Sequence, residues 1–93
     1  MTTLNSFSTQ VLIVGAGPTG LTLANLLGQA NVDTLIVDRK PGTVTEPRAV
    51  SIDDESLRTM QAIGLDDAVL RDVVPGYGVH YFTRAGGRCF GKV

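Results

Sequence analysis

The feature that most constrains the fold is a glycine-rich run, GAGPTG at residues 15–20, between an apolar segment and a helical pattern. The segment before it, Val11 to Val14, consists of branched apolar residues, which is typical of a strand buried on both faces of a parallel sheet. Apolar residues then recur at helical spacing up to about Ala30. Pro18 is tolerated in a first helical turn, where an N–H has no intrahelical partner. We therefore predict a strand, a tight turn and a helix.

A second branched run, Thr34 to Val37, ends at Asp38. Asn31 precedes it, and asparagine tolerates the left-handed backbone that ends many helices. Strand, glycine turn, helix and strand within about 30 residues form one βαβ unit with parallel strands and a right-handed crossover. Asp38 follows Gly20 by 18 positions, close to the spacing of about 20 found in dinucleotide sites. The sequence thus predicts a Rossmann-like start to an α/β fold.

Each glycine of this motif has a predicted role. Gly15 permits the tight turn, Gly17 lets a pyrophosphate approach the backbone, and Gly20 lets helix and strand pack closely. The phosphates would meet free N–H groups at the positive end of the helix. We expect Asp38 to accept hydrogen bonds from the ribose hydroxyls and to repel a 2′-phosphate, which favours FAD or NAD over NADP. The alternative is an ordinary tight turn beside an exposed aspartate.

The middle of the chain predicts a loop and two short helices. Residues 39–50 are polar and contain two prolines, so we expect no regular element there. Asp53 can cap a helix over residues 54–63 that has one apolar stripe, and Asp66 can cap a shorter helix through about residue 73.

The end of the chain predicts a hairpin. Alternating apolar residues over 77–83 indicate a strand, residues 84–88 a turn, and residues 89–93 a return strand.

Composition narrows the function classes. With 93 residues the chain allows one small globular domain, and its net charge of −1 gives no electrostatic footprint for nucleic acid or an acidic membrane. The lone cysteine, Cys89, excludes an internal disulfide, and with the single histidine it leaves no cluster of soft metal ligands. Residues 1–10 contain no Lys or Arg and no long apolar run, so we expect no targeting segment and a cytoplasmic protein.

The stretches VLIVGAGPTGLTLANLLGQ, LIVDR and PRAVSIDDESLRTMQAIGL resemble the FAD-dependent aromatic-ring monooxygenases of the p-hydroxybenzoate hydroxylase type. With GRCF near the end, the chain is most similar to the 3-(3-hydroxyphenyl)propionate hydroxylase branch. The resemblance implies a reaction in which NADH or NADPH reduces FAD, and the reduced flavin and O₂ hydroxylate a small phenolic substrate. Family members are several hundred residues long, so it implies an N-terminal piece of such an enzyme, inactive alone, with the remainder of the parent chain as its partner.

The same resemblance divides the chain and assigns residues. It implies the N-terminal part of an FAD-binding domain over 1–75 and, over 76–93, a hairpin that begins the substrate-domain sheet. Asp38 stands where the family usually has the glutamate that holds the ribose. Arg39 matches an arginine beside the adenine, and Arg48 matches one near the FAD phosphates. The predicted cofactor-binding residues are Gly15, Ala16, Gly17, Pro18, Thr19, Gly20, Asp38, Arg39 and Arg48; no catalytic residue and no metal ligand is assigned.

Several alternatives stay open on the sequence alone. The βαβ motif also suits an NAD-dependent dehydrogenase fragment or a non-catalytic nucleotide-binding remnant, and both arginines could be solvated loop charges. The acidic run 53–55 is better explained as helix capping than as a carboxylate site. His80 and Cys89 have no sequence neighbours that would activate them. The phenolic substrate and the oligomeric state, including a homo-oligomer, are left open.

Overall fold

A computed structural model of the chain describes residues 5–49 and 51–92. The elements occur in the predicted order: β1 (Val11–Val14), α1 (Pro18–Gln29), β2 (Thr34–Val37), α2 (Asp54–Ala62), α3 (Asp66–Asp72), β3 (His80–Phe82) and β4 (Cys89–Lys92). Residues 39–49 contain no regular element, as predicted, and the last predicted loop residue, 50, and the last predicted strand residue, 93, lie outside the described residues.

Strands β1 and β2 form a two-stranded parallel sheet in which Val11 lies opposite Thr34 and Val14 opposite Val37. Side chains alternate between the faces of a strand. Ile13 points towards α1 and is only 8% exposed, whereas Leu12 and Val14, on the other face, are 56% and 79% exposed. The prediction that β1 is buried on both faces is therefore wrong for this chain, because α1 is the only described element that packs on the sheet and the chain continues from β2 into a loop.

The end of α1 follows the predicted capping. Asn31 has a positive φ of 58°, and its N–H donates to the Gly28 carbonyl at 3.1 Å. Asparagine adopts this left-handed backbone more readily than other non-glycine residues. The turn ends the helix and directs the chain into β2.

The junction between α2 and α3 differs from the prediction at one residue. Gly64, at φ 77°, reverses the chain after α2, and the Leu65 N–H donates to the Met60 carbonyl at 2.8 Å, which completes a Schellman turn. Leu65 also serves as the N-cap of α3, and that cap has no side-chain hydrogen bond. The prediction of Asp66 as the cap is wrong, because one residue both closes α2 and opens α3, which places Asp66 in the first helical turn.

Asp53 caps α2 as predicted. Its Oδ1 accepts a hydrogen bond from the Ser56 N–H at 2.8 Å, and its hydrogen bonds to Ser56 hold the pKa of this carboxyl below its ordinary value. We expect Asp53→Ala to lower the helical signal in circular dichroism and to shift the folding equilibrium towards the unfolded state about fivefold. Asp53→Asn keeps a good cap and should differ little from the parent chain. Equal helicity in all three proteins would contradict the capping role.

The predicted hairpin is present but its first strand is shorter than expected. β3 and β4 pair antiparallel, with Phe82 opposite Cys89 and Tyr81 opposite Gly91, so the register shifts by one residue at a bulge. This pair forms its own sheet and does not hydrogen-bond to β1 or β2. The division of the chain at residues 75 and 76 stays a prediction.

The described chain lacks an extensive core. Ile13 and Ile63 are its only buried apolar side chains. The accessible surface is 8437 Å², whereas a compact protein of this mass exposes about 5,200 Å². The radius of gyration is 18.9 Å, against about 12 Å for a compact chain of this length. We therefore expect marginal stability for the chain by itself.

The longest helix in the described chain, α1, has 12 residues, and none of the helices described is long and apolar enough to cross a lipid bilayer.

Candidate dinucleotide-binding site

The glycine motif forms the turn that joins β1 to α1. Gly15 has a φ of 115°, a conformation that glycine adopts without the steric penalty of a Cβ atom. Its N–H donates to the Val37 carbonyl at 2.7 Å. The turn is thus held against the carboxyl end of β2, the edge at which open α/β sheets bind their ligands.

Gly20 allows the close packing that the sequence predicts. A Cβ atom at this position would collide with the Gly15 carbonyl oxygen and would lie 3.2 Å from Cγ2 of Ile13. The main obstacle is the backbone of Gly15, which cannot move aside as the end of a flexible side chain could. The missing side chain of Gly20 is therefore what lets α1 start directly beside the strand.

Gly17 has the opposite surroundings. It is the N-cap of α1, with extended backbone at φ −82° and ψ −173°, and a Cβ atom there would meet nothing within 4 Å. The folded chain itself therefore does not require glycine at this position. The open space in front of its backbone fits the predicted approach of a pyrophosphate, which a side chain would block.

The start of α1 offers hydrogen-bond donors without intrahelical acceptors. The first helical bond runs from the Leu21 N–H to the Gly17 carbonyl at 2.9 Å, so the N–H groups of Gly17, Thr19 and Gly20 lack the usual acceptor four residues earlier. No side chain of the described residues caps this end, and the first turn contains no acidic residue, whereas α2 and α3 each have two. The positive end of this helix dipole is thus left available to an anion.

Asp38 lies at the end of β2 with its carboxylate already engaged. Oδ2 accepts a hydrogen bond from the Ala16 N–H at 2.8 Å, and Oδ1 accepts one from the Lys40 N–H at 2.7 Å. Both bonds lower the pKa of the Asp38 carboxyl below its ordinary value, and the bond from the Lys40 N–H has the larger effect. The side chain is exposed, and each oxygen of an ionised carboxylate retains a further acceptor position. Sequence reasoning assigned Asp38 to the ribose but missed its bond to the turn.

The structure changes what two members of the motif can do. The Ala16 N–H is directed to Asp38 and is not free for a phosphate. Pro18 has no N–H, and its contribution is to begin the helix. Of the six residues in the motif, Gly17, Thr19 and Gly20 therefore supply the free backbone donors.

The two predicted arginines lie in the exposed loop after β2. Arg48 is paired with Glu46 at 3.2 Å, and both side chains are more than half exposed, so the ion pair is weak and readily exchanged. The neighbouring Ala49 lines a groove together with Pro18 and Thr19, which brings this segment alongside the start of α1. The Arg39 side chain makes no hydrogen bond or ion pair within the described residues.

Two cavities meet at the start of α1. The smaller, about 340 Å³, is lined by the turn and the end of β1, including Gly15, Gly17 and Gly20. The larger, about 670 Å³, runs between α1 and α2. Pro18, Thr19 and Leu23 line both. Both are shallow and open to solvent, and together they border the first helical turn on two sides.

The remaining candidates do not form a second chemical site. Within residues 5–49 and 51–92, no three His, Cys, Asp or Glu side chains cluster closely enough to hold a metal ion. His80 lies in β3 and Cys89 begins β4, both exposed. Arg58 pairs with Glu55 one turn earlier in α2 at 3.0 Å.

Comparison with known proteins agrees with this geometry. In curated sequences, the chain is 49% identical over 83 residues to a 3-(3-hydroxy-phenyl)propionate/3-hydroxycinnamic acid hydroxylase from Comamonas testosteroni, which covers 89% of this chain and 14% of that protein. It is 48% identical over 86 residues to the protein of the same description from Escherichia coli K12. This match covers 92% of this chain and 15% of that protein. The chain thus spans about one seventh of the length of these relatives.

Two solved structures share the fold. The flavin-dependent monooxygenase PieE, in complex with FAD and substrate, superimposes with a TM-score of 0.72 at 31% identity, over 91% of this chain and 15% of PieE. The rebeccamycin biosynthetic enzyme RebC with reduced flavin superimposes with a TM-score of 0.68 at 32% identity, over 91% of this chain and 17% of RebC. A model of the FAD binding domain matches residues 8–89, nearly the whole chain. The chain therefore belongs to the FAD binding domain family.

Proposed function

We propose that this chain is the FAD-binding segment of a flavin-dependent monooxygenase that hydroxylates a phenolic aromatic acid with NAD(P)H and O₂. The names of the Comamonas testosteroni and Escherichia coli relatives support the reaction class and the type of substrate. Because the chain corresponds to about one seventh of each relative, the contacts to the flavin ring and to the phenol are assigned to the rest of the parent protein. The cytoplasmic location stays a prediction of the sequence.

The observation that carries the proposal is the uncapped start of α1, where three backbone donors border the open space at Gly17. The N–H groups of Gly17, Thr19 and Gly20 would bind the pyrophosphate of FAD, with the helix dipole adding to the attraction. These donors are fixed before the ligand arrives, so little ordering is required on binding.

Charged side chains would complete the site. The remaining acceptor positions of Asp38 would take the ribose hydroxyls, and its negative charge would disfavour a 2′-phosphate. Arg48 would leave its exposed partner Glu46 for a phosphate, with which the planar guanidinium forms stronger, two-point contacts. Arg39 would lie beside the adenine.

The bound flavin would supply electron transfer from NAD(P)H and the activation of O₂. This chain's part is to hold the adenosine and pyrophosphate end of the cofactor. The match to the FAD binding domain favours this function over an NAD-dependent dehydrogenase, the alternative that the βαβ motif alone leaves open.

Titration of the purified chain with dinucleotides tests the proposal. We expect FAD to bind, as measured by the rise in fluorescence anisotropy of its flavin, ADP to compete with it, and NADP⁺ to compete more weakly than NAD⁺. Absence of any FAD or ADP binding by the folded chain would overturn the assignment of this site, and NAD⁺ binding tighter than FAD would favour the dehydrogenase alternative.

The chain alone should not complete the reaction. With FAD, NADH, O₂ and 3-(3-hydroxyphenyl)propionate present, we expect no NADH oxidation coupled to hydroxylated product, because the proposal assigns the contacts to the flavin ring and to the phenol to the rest of the parent protein. Coupled turnover by the 93-residue chain would show that the substrate site lies within it.

A further inference from the structure

The carboxylate of Asp38 joins two segments that are far apart in the sequence. Oδ2 accepts from the Ala16 N–H in the glycine turn, 22 residues earlier, and Oδ1 accepts from the Lys40 N–H in its own loop. The Gly15 N–H also donates to the end of β2, at the Val37 carbonyl. The N–H groups of two consecutive turn residues, Gly15 and Ala16, are therefore hydrogen-bonded to the end of β2 and to Asp38. The free donors begin at Gly17.

We propose that Asp38 is a positioning residue for the pyrophosphate: its bond to Ala16 fixes the glycine turn so that the free donors at the start of α1 converge on the ligand. This role is additional to any contact with the ribose, and it rests on the proposed function of the site. A hydrogen bond to an ionised acceptor is stronger than a neutral one, and a turn already held in its binding conformation loses less entropy when the ligand binds.

The sign of the charge effect separates this role from simple electrostatics. Asp38 and the pyrophosphate are both negative. If their Coulomb repulsion were the only effect, removal of the carboxylate would strengthen binding of the anion. A contact to the ribose, in turn, acts only on ligands that have ribose hydroxyls. In a variant that stays folded, weaker binding of a ligand that keeps the diphosphate but lacks those hydroxyls therefore points to the turn.

The experiment compares ADP with 2′,3′-dideoxy-ADP on the parent chain and on Asp38→Ala. We expect Asp38→Ala to weaken dideoxy-ADP about tenfold and ADP by at least as much. If Asp38→Ala binds dideoxy-ADP as tightly as the parent chain does, or more tightly, the positioning role is overturned and only the ribose contact remains. Asp33→Ala is the matched control, since it removes the same charge just before the other end of β2, and it should leave both affinities unchanged.

Amide hydrogen exchange supplies a readout that does not need a ligand. We expect exchange of the Ala16 amide to become at least tenfold faster in Asp38→Ala, while the Gly15 amide, bonded to Val37, keeps its rate. Asp38→Asn, which retains one acceptor oxygen, should give an intermediate rate and serves if the alanine variant unfolds. An unchanged Ala16 rate in both variants would overturn the proposal. If the parent chain binds neither ADP nor FAD, the proposed function fails, yet the Ala16 rates still test the bond to Asp38.

Discussion

Replacing Gly20 with alanine is expected to unfold the chain. The new Cβ would collide with the Gly15 carbonyl oxygen and press on Ile13, one of the two buried apolar side chains of the described residues. Because the obstacle is backbone, relief requires α1 to move away from β1, and overpacking of this kind lowers the free energy of unfolding by about 3 kcal/mol. A chain with so small a core does not have that margin. We expect Gly20→Ala to lose most of its helical circular dichroism and its FAD binding.

Gly28→Ala is the matched control, because it makes the same change in the same helix. A Cβ at Gly28 would meet nothing within 4 Å, and alanine is a better helix former than glycine by about 0.5–1 kcal/mol. Gly28→Ala should therefore melt at a slightly higher temperature than the parent chain. If Gly20→Ala melts at the same temperature as Gly28→Ala, the stability of the fold does not depend on the close approach of α1 to β1.

The parts of the fold that the sequence predicts well depend on local chemistry. Each of these parts depends on residues only a few positions apart in the chain. They are the strands formed by the branched runs at 11–14 and 34–37, the left-handed residue Asn31 and the helix cap Asp53, and each is found as predicted. The roles of Gly15 and Gly20 can also be predicted from the sequence, because the spacing of the motif and the steric need for glycine at both positions are known in advance.

The features that the sequence does not predict depend on contacts between segments. The bond from Ala16 to Asp38 requires the relative position of two strand ends, and no pattern within either segment specifies it. The double use of Leu65 depends on how two helices share one turn. The exposed face of β1 depends on which elements follow β2, whereas the apolar run by itself indicated burial on both sides.

Replacing Gly17 with valine is expected to abolish dinucleotide binding while leaving the fold intact. The backbone at Gly17 is extended, at φ −82° and ψ −173°, a region that β-branched residues favour. Its side chain would point into space that is empty in the folded chain. It would, however, occupy the approach to the free donors of α1. We expect FAD affinity to fall on the order of 100-fold, equivalent to about 2.7 kcal/mol, with a melting temperature close to that of the parent chain.

Two further variants separate obstruction of the ligand from a general effect of removing glycine. Gly17→Ala places a single methyl group in the same approach and should reduce FAD affinity less than valine does, so the loss grows with the size of the obstacle. Gly76→Val makes the same change in the exposed segment before β3, where a Cβ also meets nothing within 4 Å, and it should bind FAD normally. Unchanged FAD affinity in Gly17→Val would mean that the pyrophosphate does not approach this backbone, because a ligand bound to the Gly17 N–H would contact the isopropyl group of the same residue.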